Sequence, residues 1–353
     1  MTNIIKKIDF KAKMPKFDTS TYNSFSDKLK IQPFNSSSNI EEFDLGATIS
    51  DKFSSNTPYD FTENYDNTLG DIQYDEIKSD GFTAQGYTIY NGLTYISAYS
   101  HEGENSRIYV YDENGLSNTI ILDNTAHVGG ISVDDNGILF VTRSGGKIDT
   151  YDLNSLSKEL PNNEIVDFTS GEYDQYRIEN NIDALKDVAT LYCFDGKLYT
   201  ATYANKGTIM EFDYSFKDGK IDATANLISD NAASVIQGLS MYQDKDGNQY
   251  LVTASSSDKI GSRIRIYRLE DNNLVRVASH NSRIPGLEGI HVDENGNITG
   301  ICEYGEQVVR DLGNVDDYVE IVDASHVDFL NNNFLFACSG LVWDLQHWYY
   351  SLF

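Results

Sequence analysis

Proline, cysteine and tryptophan are scarce in this chain, whose 353 residues include 5 Pro, 3 Cys and 2 Trp. The three cysteines, Cys193, Cys302 and Cys338, lie in apolar runs and show neither CxxC spacing nor histidines at ligand spacing. We therefore expect three buried thiols, and neither a disulfide framework nor a cysteine-ligated metal.

Basic residues are also few. The chain has 27 Lys and Arg against 54 Asp and Glu, which gives a formal net charge of -27 and a pI near 4.4. Because no basic patch is segregated in the strand-rich part of the sequence, this charge argues against nucleic acid or an anionic lipid surface as a partner.

Long apolar runs are missing. Nowhere do about 18 apolar residues follow one another, so the sequence predicts no membrane insertion. The first residues, MTNIIKKIDFKAKMPKF, contain no apolar stretch of signal-peptide length. The localisation stays open, and the two expectations are a cytoplasmic protein or one exported by a non-classical route.

Short β-type runs separated by tight-turn signals fill the chain from residue 82 onward. The stretch 84–112 reads AQGYTIYNGLTYISAYSHEGENSRIYVYD, and its Asn-Gly pair between apolar runs is a strong hairpin signal. The same order of strands and Asp/Asn-Gly turns recurs from residues 127, 187, 237 and 288. These starts are roughly 40 to 60 residues apart, the period of one four-stranded propeller blade. The sequence predicts an all-β protein with a single β-propeller over residues 81–353, of five blades, with six as the alternative.

Residues 1–80 do not follow the repeat. Residues 1–30 carry seven Lys and three acidic residues, whereas residues 31–80 carry eleven Asp/Glu and two Lys. This change of sign in a Ser/Asn/Thr-rich stretch predicts a non-propeller leader. Three interpretations stay open: a partly disordered tail, a segment packed along the propeller that supplies an outer strand, and an arm that orders on a partner.

Two later segments also fall outside the repeat. The polar stretch 154–183 is longer than a connection needs to be, so we expect an accessory or functional role for it. The stretch Leu341–Phe353, LVWDLQHWYYSLF, holds both tryptophans. We expect it to be a terminus packed into the fold, with an exposed aromatic anchor for a partner as the alternative. The protein is expected to be a monomer unless the leader or this C-terminal stretch mediates assembly.

The phrases AQGYTIYNGLTYISAY, NSRIYVYDENG, AHVGGISVD, VIQGLSMYQDKDGNQYLVTASS and GLEGIHVDENGNITGICE together resemble a family of uncharacterised bacterial β-propeller proteins of low-GC Gram-positive type. The resemblance covers roughly residues 82–310 and implies a propeller that is often secreted or attached to the cell surface. More distantly, Phe82-Thr83-Ala84-Gln85-Gly86 is similar to the blade-opening phrase of plant-type glutaminyl cyclases. Glu288 matches an axial metal ligand of gluconolactonase-like propellers.

The first strand of each blade starts beside the central axis of a propeller, so side chains there share one channel. Aligning the repeats places five polar residues at this position: Gln85, His127, Asp187, Gln237 and Glu288. A second layer follows the second strand of each blade and is predicted to line one mouth of the channel: His101, Arg143, Tyr203, Ser255 and Glu303.

Three interpretations of this axial set stay open. The side chains could be a polar lining solvated by channel water. Asp187 and Glu288, with His127, could bind a divalent cation, for which oxygen ligands favour calcium or magnesium and a histidine favours a transition metal. The two carboxylates could also act as general acid and base. Beyond calcium or another divalent cation at this candidate site, the sequence predicts no cofactor.

We interpret the chain as a binding or scaffold propeller that presents loops and a polar axial channel to a protein, glycan or small-molecule ligand. The alternative is a propeller enzyme of hydrolase, lactonase or cyclase type. Asp244-Lys245-Asp246-Gly247-Asn248 resembles the start of a calcium loop, but Gln249 and Ser255 stand where an EF-hand needs Gly and Glu. We expect a hairpin turn there.

Overall fold

Five sheets form a closed ring in the computed structural model, which describes residues 75–159, 164–256, 262–270, 273–282, 286–303 and 309–319. The first strand of each sheet contacts the first strand of the next, and the fifth sheet contacts the first in the same way. The prediction of an all-β, five-bladed propeller is confirmed.

The strands are, in chain order, β1 (Phe82–Tyr90), β2 (Leu93–Ser100), β3 (Arg107–Asp112), β4 (Gly115–Ile121), β5 (Ile131–Val133), β6 (Ile138–Arg143), β7 (Lys147–Asp152), β8 (Ile165–Asp167), β9 (Glu179–Asn180), β10 (Val188–Phe194), β11 (Lys197–Thr202), β12 (Gly207–Lys217), β13 (Lys220–Ala232), β14 (Ile236–Gln243), β15 (Gln249–Ser256), β16 (Ser262–Glu270), β17 (Asn273–Ser282), β18 (Leu287–Val292), β19 (Asn297–Cys302) and β20 (Val309–Asn314). Two α-helices, α1 (Asp75–Ser79) and α2 (Leu153–Glu159), and a 3-10 turn (Asp174–Tyr176) accompany them. The backbone of 315–319 is helical.

Each blade is an antiparallel meander that starts at the axis. Blade 1 is β1–β4, blade 2 is β5–β7, blade 3 is β10–β13, blade 4 is β14–β17 and blade 5 is β18–β20. β8 pairs in parallel with β4 of blade 1, and β9 pairs in parallel with β13 of blade 3. Among the described residues, blades 2 and 5 therefore have three strands, and blades 1 and 3 each gain a fifth.

The inner hairpins form where Asn, Asp and Gly tolerate positive φ. Asn91 and Gly92 have φ of 50° and 75°, the left-handed pair that a two-residue type I′ turn requires. Asp293 closes a longer turn in another way, because its Oδ1 accepts hydrogen bonds from the backbone N–H groups of Asn295 and Asn297. Local turn chemistry thus fixes the register of each inner hairpin.

Neighbouring blades approach so closely at the axis that their inner strands need glycine. A Cβ on Gly86 would lie 2.7 Å from the carbonyl oxygen of Gly129 in blade 2. A Cβ on Gly238 would lie 2.6 Å from the carbonyl oxygen of Glu288 in blade 5. The repeated phrase of a polar residue followed by Gly therefore reflects backbone packing between blades.

Apolar faces of adjacent blades pack together to form the core. Between blades 5 and 1, Ile301 joins a buried cluster with Ile96 and Tyr109, and Ile77 of α1 belongs to the same cluster. Buried hydroxyls add cross-blade bonds: Ser97 Oγ donates to the carbonyl of Val128 at 2.6 Å. These contacts close the ring through side chains as well as through backbone proximity.

The long insertion becomes a strap over the open edge of blade 2. Residues 164–180 run from the outer edge of blade 1, as β8, to the outer edge of blade 3, as β9. Between these strands, Ile178 N–H donates to the carbonyl of Thr150 in β7, and Thr150 Oγ1 donates to the carbonyl of Ile178. The strap takes the place of a fourth strand in blade 2, which explains the length of the connection.

The remaining expectations concern the cysteines, the two terminal segments and membrane-spanning helices. The thiol of Cys302 is buried as predicted, and that of Cys193 is partly buried. Three of the features predicted from the sequence lie outside the described residues: Cys338, residues 1–74 of the leader and Leu341–Phe353. Among the described residues, no helix has the length and apolar character that crossing a lipid bilayer requires.

Candidate functional site

A β-bulge interrupts the first strand of four blades near the axis. In blade 1 the pairing passes from Ala84↔Ala98 to Gly86↔Ser97, so that Gln85 is the extra residue. The same irregularity falls at Ala189 in blade 3, at Gln237 in blade 4 and at Glu288–Gly289 in blade 5. A bulge redirects a side chain out of the regular alternation of a strand, and it does so here at the start of each inner strand.

The equivalent position in blade 2 is Gly129. Gly130 N–H donates to Thr142 Oγ1, as Gly86 N–H donates to Ser97 Oγ in blade 1. His127 therefore stands two residues before this position. In this blade, the alignment predicted from the sequence is wrong by two residues. Blade 2 has two consecutive glycines, Gly129 and Gly130, so the sequence alone does not show which residue aligns with Gln85.

The same correction applies to blade 3. Ala189 is the bulge residue there, and Asp187 stands two residues before it. The side chain of Asp187 is exposed, and its carbonyl accepts a hydrogen bond from the N–H of Tyr203. Blade 3 thus places a methyl group at the position where blades 1, 4 and 5 place polar side chains.

Gln237 and Glu288 form one polar pair across the boundary of blades 4 and 5. Gln237 Nε2 donates to Glu288 Oε1 at 3.1 Å. Glu288 is only 3% exposed, and burial, followed by the charge of Glu303, raises the pKa of its carboxyl well above the usual value. Glu288 therefore keeps its proton at a pH where an ordinary glutamate has lost it.

Gln85 and His127 form a second pair across the boundary of blades 1 and 2. The imidazole Nδ1 lies 3.4 Å from Gln85 Oε1, and since a carboxamide oxygen only accepts, Nδ1 donates and Nε2 is left as an acceptor. Burial, followed by the nearby His101, lowers the pKa of His127. The neutral imidazole is thus the favoured form.

Tyr99 of β2 joins the two pairs. Its ring stacks on His127 with centroids 3.9 Å apart, and its hydroxyl lies 3.1 Å from His101 Nε2. Burial raises the pKa of Tyr99, and the charges of Glu303 and Glu288 raise it further. Sequence analysis did not predict Tyr99 as a site residue, because the alternation along β2 identifies it only as an ordinary strand residue. We call the set of Gln85, Tyr99, His101, His127, Gln237, Glu288 and Glu303 the axial mouth.

Two members of the predicted second layer interact elsewhere. Arg143, at the end of β6, forms ion pairs with Asp149 at 3.4 Å and Asp123 at 4.0 Å. Ser255 is fully buried in β15 and accepts a hydrogen bond from Arg265 Nη1. Of the second layer, His101 and Glu303 act electrostatically on axial residues, whereas Tyr203 is exposed beside the backbone of Asp187.

Aromatic side chains fill the axis further along the inner strands. The rings of Tyr192 in blade 3 and His291 in blade 5 lie 6.2 Å apart, although these blades are not neighbours in the ring. Tyr87 of blade 1 packs edge-on against the same imidazole at 6.1 Å. The contact between Tyr192 and His291 therefore crosses the axis, and we call the rings of Tyr87, Tyr192 and His291 the aromatic floor of the axial mouth.

His291 carries an unusual polar atom in that floor. Its Nδ1 is buried without a hydrogen-bond partner in the described part of the chain, and burial lowers its pKa to about 4. The imidazole of His291 is therefore neutral above about pH 4.

A cation site does not emerge among the described side chains, where no three His, Cys, Asp or Glu group as metal ligands. The neighbours of Glu288 are the carboxamide of Gln237, the carboxylate of Glu303 and the phenol of Tyr99, and a protonated carboxyl is a poor ligand for a cation. The hypothesis that Asp187 and Glu288 hold calcium or another divalent ion stays a prediction.

Comparison with known proteins gives a likeness to solved structures alone. No protein-family model and no curated protein matches the chain. Hydrazine synthase of Kuenenia stuttgartiensis is similar over 71% of this chain and 70% of its own, at 12% identity and a TM-score of 0.38.

Two further structures are similar at the same low level. A 6-phosphogluconolactonase candidate from Bacteroides uniformis matches 64% of this chain and 68% of its own, at 14% identity and a TM-score of 0.38. The Dos1 propeller matches 61% of this chain and 55% of its own, at 13% identity and a TM-score of 0.29. Likenesses this distant carry no inference about activity, and the resemblance to the low-GC Gram-positive family stays a prediction.

Proposed function

We propose that the axial mouth binds an uncharged, polyhydroxylated small molecule, such as one neutral sugar unit of a glycan. The observation that carries this proposal is the buried carboxyl of Glu288, which stands at a bulge with one hydrogen bond and a raised pKa. A buried carboxyl with a strongly raised pKa and a specific polar partner is a candidate for a functional site, because burying it without a role lowers stability.

The chemistry of the neighbours supports a neutral ligand. A protonated Glu288 both donates and accepts hydrogen bonds, as do the carboxamides of Gln85 and Gln237 and the hydroxyl of Tyr99. Sugar hydroxyls require this mixture of donors and acceptors at close spacing. The aromatic floor, which includes Tyr192 and His291, blocks the axis further along the inner strands and favours a single small unit over a threaded chain.

Saturation-transfer NMR with a panel of neutral mono- and disaccharides tests the proposal. We expect transfer to at least one neutral sugar, and loss of it in Glu288→Leu and Gln237→Leu. Gln243→Leu, at the far and exposed end of β14, removes a carboxamide away from the axis and should bind as the wild type does. A gluconate control should bind more weakly than the neutral sugar, because Glu303 repels a carboxylate.

Binding should also depend on pH. As the pH rises through the raised pKa of Glu288, the carboxyl loses its proton and its donor, so affinity for the sugar should fall. Glu288→Gln keeps a neutral donor and acceptor and should bind with little change across the same range. Failure of every neutral sugar to bind, or equal binding by Glu288→Leu, would contradict the proposed function.

Acid-base catalysis is the second candidate, and it rests on the same carboxyl. A glutamic acid that keeps its proton above the usual titration range of a carboxyl can protonate a leaving group, as a hydrolase, lactonase or cyclase requires. If so, turnover of a neutral lactone or glycoside should fall at high pH and be lost in Glu288→Gln. Sugar binding that Glu288→Gln preserves, without any turnover by the wild type, would leave the binding role alone.

The cation hypothesis is tested in the same samples. Thermal melting with calcium and with EDTA should differ if Asp187 and Glu288 hold an ion, and Glu288→Gln should abolish the difference. Identical melting under both conditions would remove calcium from consideration.

A further inference from the structure

The position of Tyr99 recurs in every blade, at the rim of the axial mouth. In blade 1, Tyr99 pairs with Thr83, which stands two residues before the bulge. In blade 3, the N–H of Tyr203 donates at 2.9 Å to the carbonyl of Asp187, which also stands two residues before the bulge. Tyr203 is therefore the equivalent of Tyr99. The same count along each second strand gives five rim positions, one per blade: Tyr99, Ser144, Tyr203, Ser256 and Glu303.

The two rim tyrosines differ in what the next blade places beside them. His127, two residues before the bulge position of blade 2, stacks on Tyr99 with ring centroids 3.9 Å apart, and Tyr99 is only 8% exposed. The equivalent residue of blade 4 is Val235, which offers no flat ring, and Tyr203 is 46% exposed. Tyr203 thus presents aromatic surface to solvent at the position where Tyr99 carries an imidazole.

The axial mouth is one-sided. Blades 4, 5 and 1 place Gln237, Glu288 and Gln85 at the bulge position, whereas blades 2 and 3 place Gly129 and Ala189 there. Both of these small residues are partly exposed. A ligand that bonds to the polar side therefore meets nothing larger than a methyl group at the bulge positions of the other two blades.

The aromatic floor decides where a second sugar unit can lie. It blocks the axis further along the inner strands, so a unit linked to the one in the mouth has to leave over the rim. Of the five rim positions, Ser144, Ser256 and Glu303 carry no ring, and Tyr99 is already stacked. Tyr203 is therefore the exposed ring of the rim, and it lies on the side where the mouth is lined by small residues.

We infer that Tyr203 and Asp187 form a rim subsite that takes the second unit of a neutral glycan whose terminal unit occupies the axial mouth. This inference rests on the proposed function. A tyrosine ring accepts the apolar C–H face of a sugar as a flat partner, and it supplies a large contact area at a low cost in side-chain entropy. The ligand class is thereby narrowed from a single sugar to the end of an oligosaccharide.

Asp187 adds a polar contact to the same subsite. Its side chain is exposed, and it stands opposite Tyr203 where the hydrogen bond between them extends the β10–β11 pairing by one residue. Residues opposite each other in an antiparallel pair place their side chains on one face. The carboxylate can therefore accept hydrogen bonds from the hydroxyls of a sugar that lies on the tyrosine ring.

Saturation-transfer NMR titrations of the full chain with paired sugars test the inference. The probes are glucose with maltose and cellobiose, galactose with galactobiose, mannose with mannobiose, and N-acetylglucosamine with chitobiose. For at least one pair, we expect the disaccharide to bind about tenfold tighter than its monosaccharide, because one stacked ring is added. Protons of its second unit should receive saturation from the protein.

Tyr203→Ala should remove the advantage of the disaccharide and the saturation of its second unit, while the monosaccharide keeps its affinity. Tyr203→Phe keeps the ring face and should bind as the wild type does. Tyr203→Leu, which keeps apolar bulk without a flat ring, replaces the alanine variant if that variant does not fold. Asp187→Ala should weaken the disaccharide more than the monosaccharide. Phe216→Ala is the matched control, because this ring is 49% exposed at the outer end of β12, and it should change neither affinity.

The outcomes separate this inference from the proposed function. Glu288→Leu should abolish the binding of both members of a pair, whereas Tyr203→Ala should remove only the difference between them. Monosaccharide binding without a tighter disaccharide, an advantage that persists in Tyr203→Ala, or an equal loss in Phe216→Ala would overturn the rim subsite and leave the axial mouth. Absence of transfer to every one of these sugars would overturn both.

Discussion

Gln237 of blade 4 donates a hydrogen bond to the carboxyl of Glu288 of blade 5, with 3.1 Å between Nε2 and Oε1. Both residues occupy bulges in the first strands of their blades. The bond therefore joins two irregularities that the ring brings together at the axis. It also fixes which oxygen of Glu288 is occupied.

Glu288→Gln is expected to remove a pH dependence of stability. The folded pKa of Glu288 is raised above its usual value of 4.5, so between that value and the folded pKa the native state holds one more proton than the unfolded state. The free energy of unfolding then falls as pH rises through this window, and it stays low above the folded pKa.

The variant should therefore be more stable than the wild type at pH 8 and should differ less from it at pH 5. Urea unfolding at a series of pH values measures both. Glu294→Gln, an exposed glutamate in the β18–β19 turn, is the control and should follow the wild type. A wild-type advantage that grows with pH would contradict this account of Glu288.

His291→Phe is expected to remove a loss of stability at low pH, whereas Glu288→Gln removes a loss of stability at high pH. The imidazole pKa is lowered to about 4 by burial, so between about 6.5 and 4 the unfolded state binds the extra proton. The native state loses up to about 3 kcal/mol as pH falls through that window. Phenylalanine keeps the aromatic floor against Tyr87 and Tyr192 without a titrating nitrogen.

We expect the variant to lose less stability than the wild type between pH 7 and pH 4.5. Its free energy of unfolding at pH 7 should not drop, because the buried Nδ1 that lacks a partner is also removed. Urea unfolding at the two pH values checks this. An equal loss of unfolding free energy in the wild type and the variant would show that another group causes the acid sensitivity.

Gly86→Ala is expected to destabilise the ring by about 3 kcal/mol, at the upper end for overpacking. Its Cβ would meet the backbone oxygen of Gly129 at 2.7 Å and the side chain of Ile131 at the same distance. Backbone cannot move aside as a flexible side chain can. Gly103→Ala, in an open loop with φ of 81°, carries only the cost of the left-handed backbone, about 1 kcal/mol. Thermal or urea unfolding of both variants gives the comparison, and similar losses would mean that the inner strands have room to separate.

Asn180→Ala is expected to loosen the strap at a cost of about 1 to 3 kcal/mol, because it leaves a buried carbonyl unpaired. Asn180 Nδ2 donates to the carbonyl of Ile148 at 2.9 Å and to Thr150 Oγ1 at 3.0 Å. Trypsin should then cleave after Arg177 faster than in the wild type. Asn226→Ala removes an exposed side-chain bond to Asp213 and should change stability by less than about 0.5 kcal/mol. Unchanged cleavage in Asn180→Ala would show that the β8 and β9 pairings hold the strap without it.

The propeller was predictable because its signals are local. Asn91-Gly92 and Asp195-Gly196 both have left-handed φ at the two central residues, and every predicted inner turn lies between the first two strands of its blade. Such turns depend on neighbouring residues only. Alternating runs between them then indicate a propeller of five blades, with six as the alternative.

The strap and the exact axial register were not predictable in the same way. β8 and β9 have only three and two residues and pair in parallel with strands far away in the sequence, and nothing in Ile165–Asp167 specifies that partner. The bulge at Ala189 has no polar residue to mark it, so alignment favoured Asp187. Tyr99 became part of the mouth only because the ring brings His127 of the next blade against its face.

The strap also has a consequence for how the ring comes apart. One continuous segment supplies an outer strand to blade 1, bonds the edge of blade 2 and adds a strand to blade 3. The strap therefore couples these three blades, since its release removes pairings from all of them. Blade 4 is joined to the ring through its packed faces and has no strand from the strap. Amide hydrogens of β2, β6 and β11 should then exchange together in one slow subglobal opening, separate from the amides of β15.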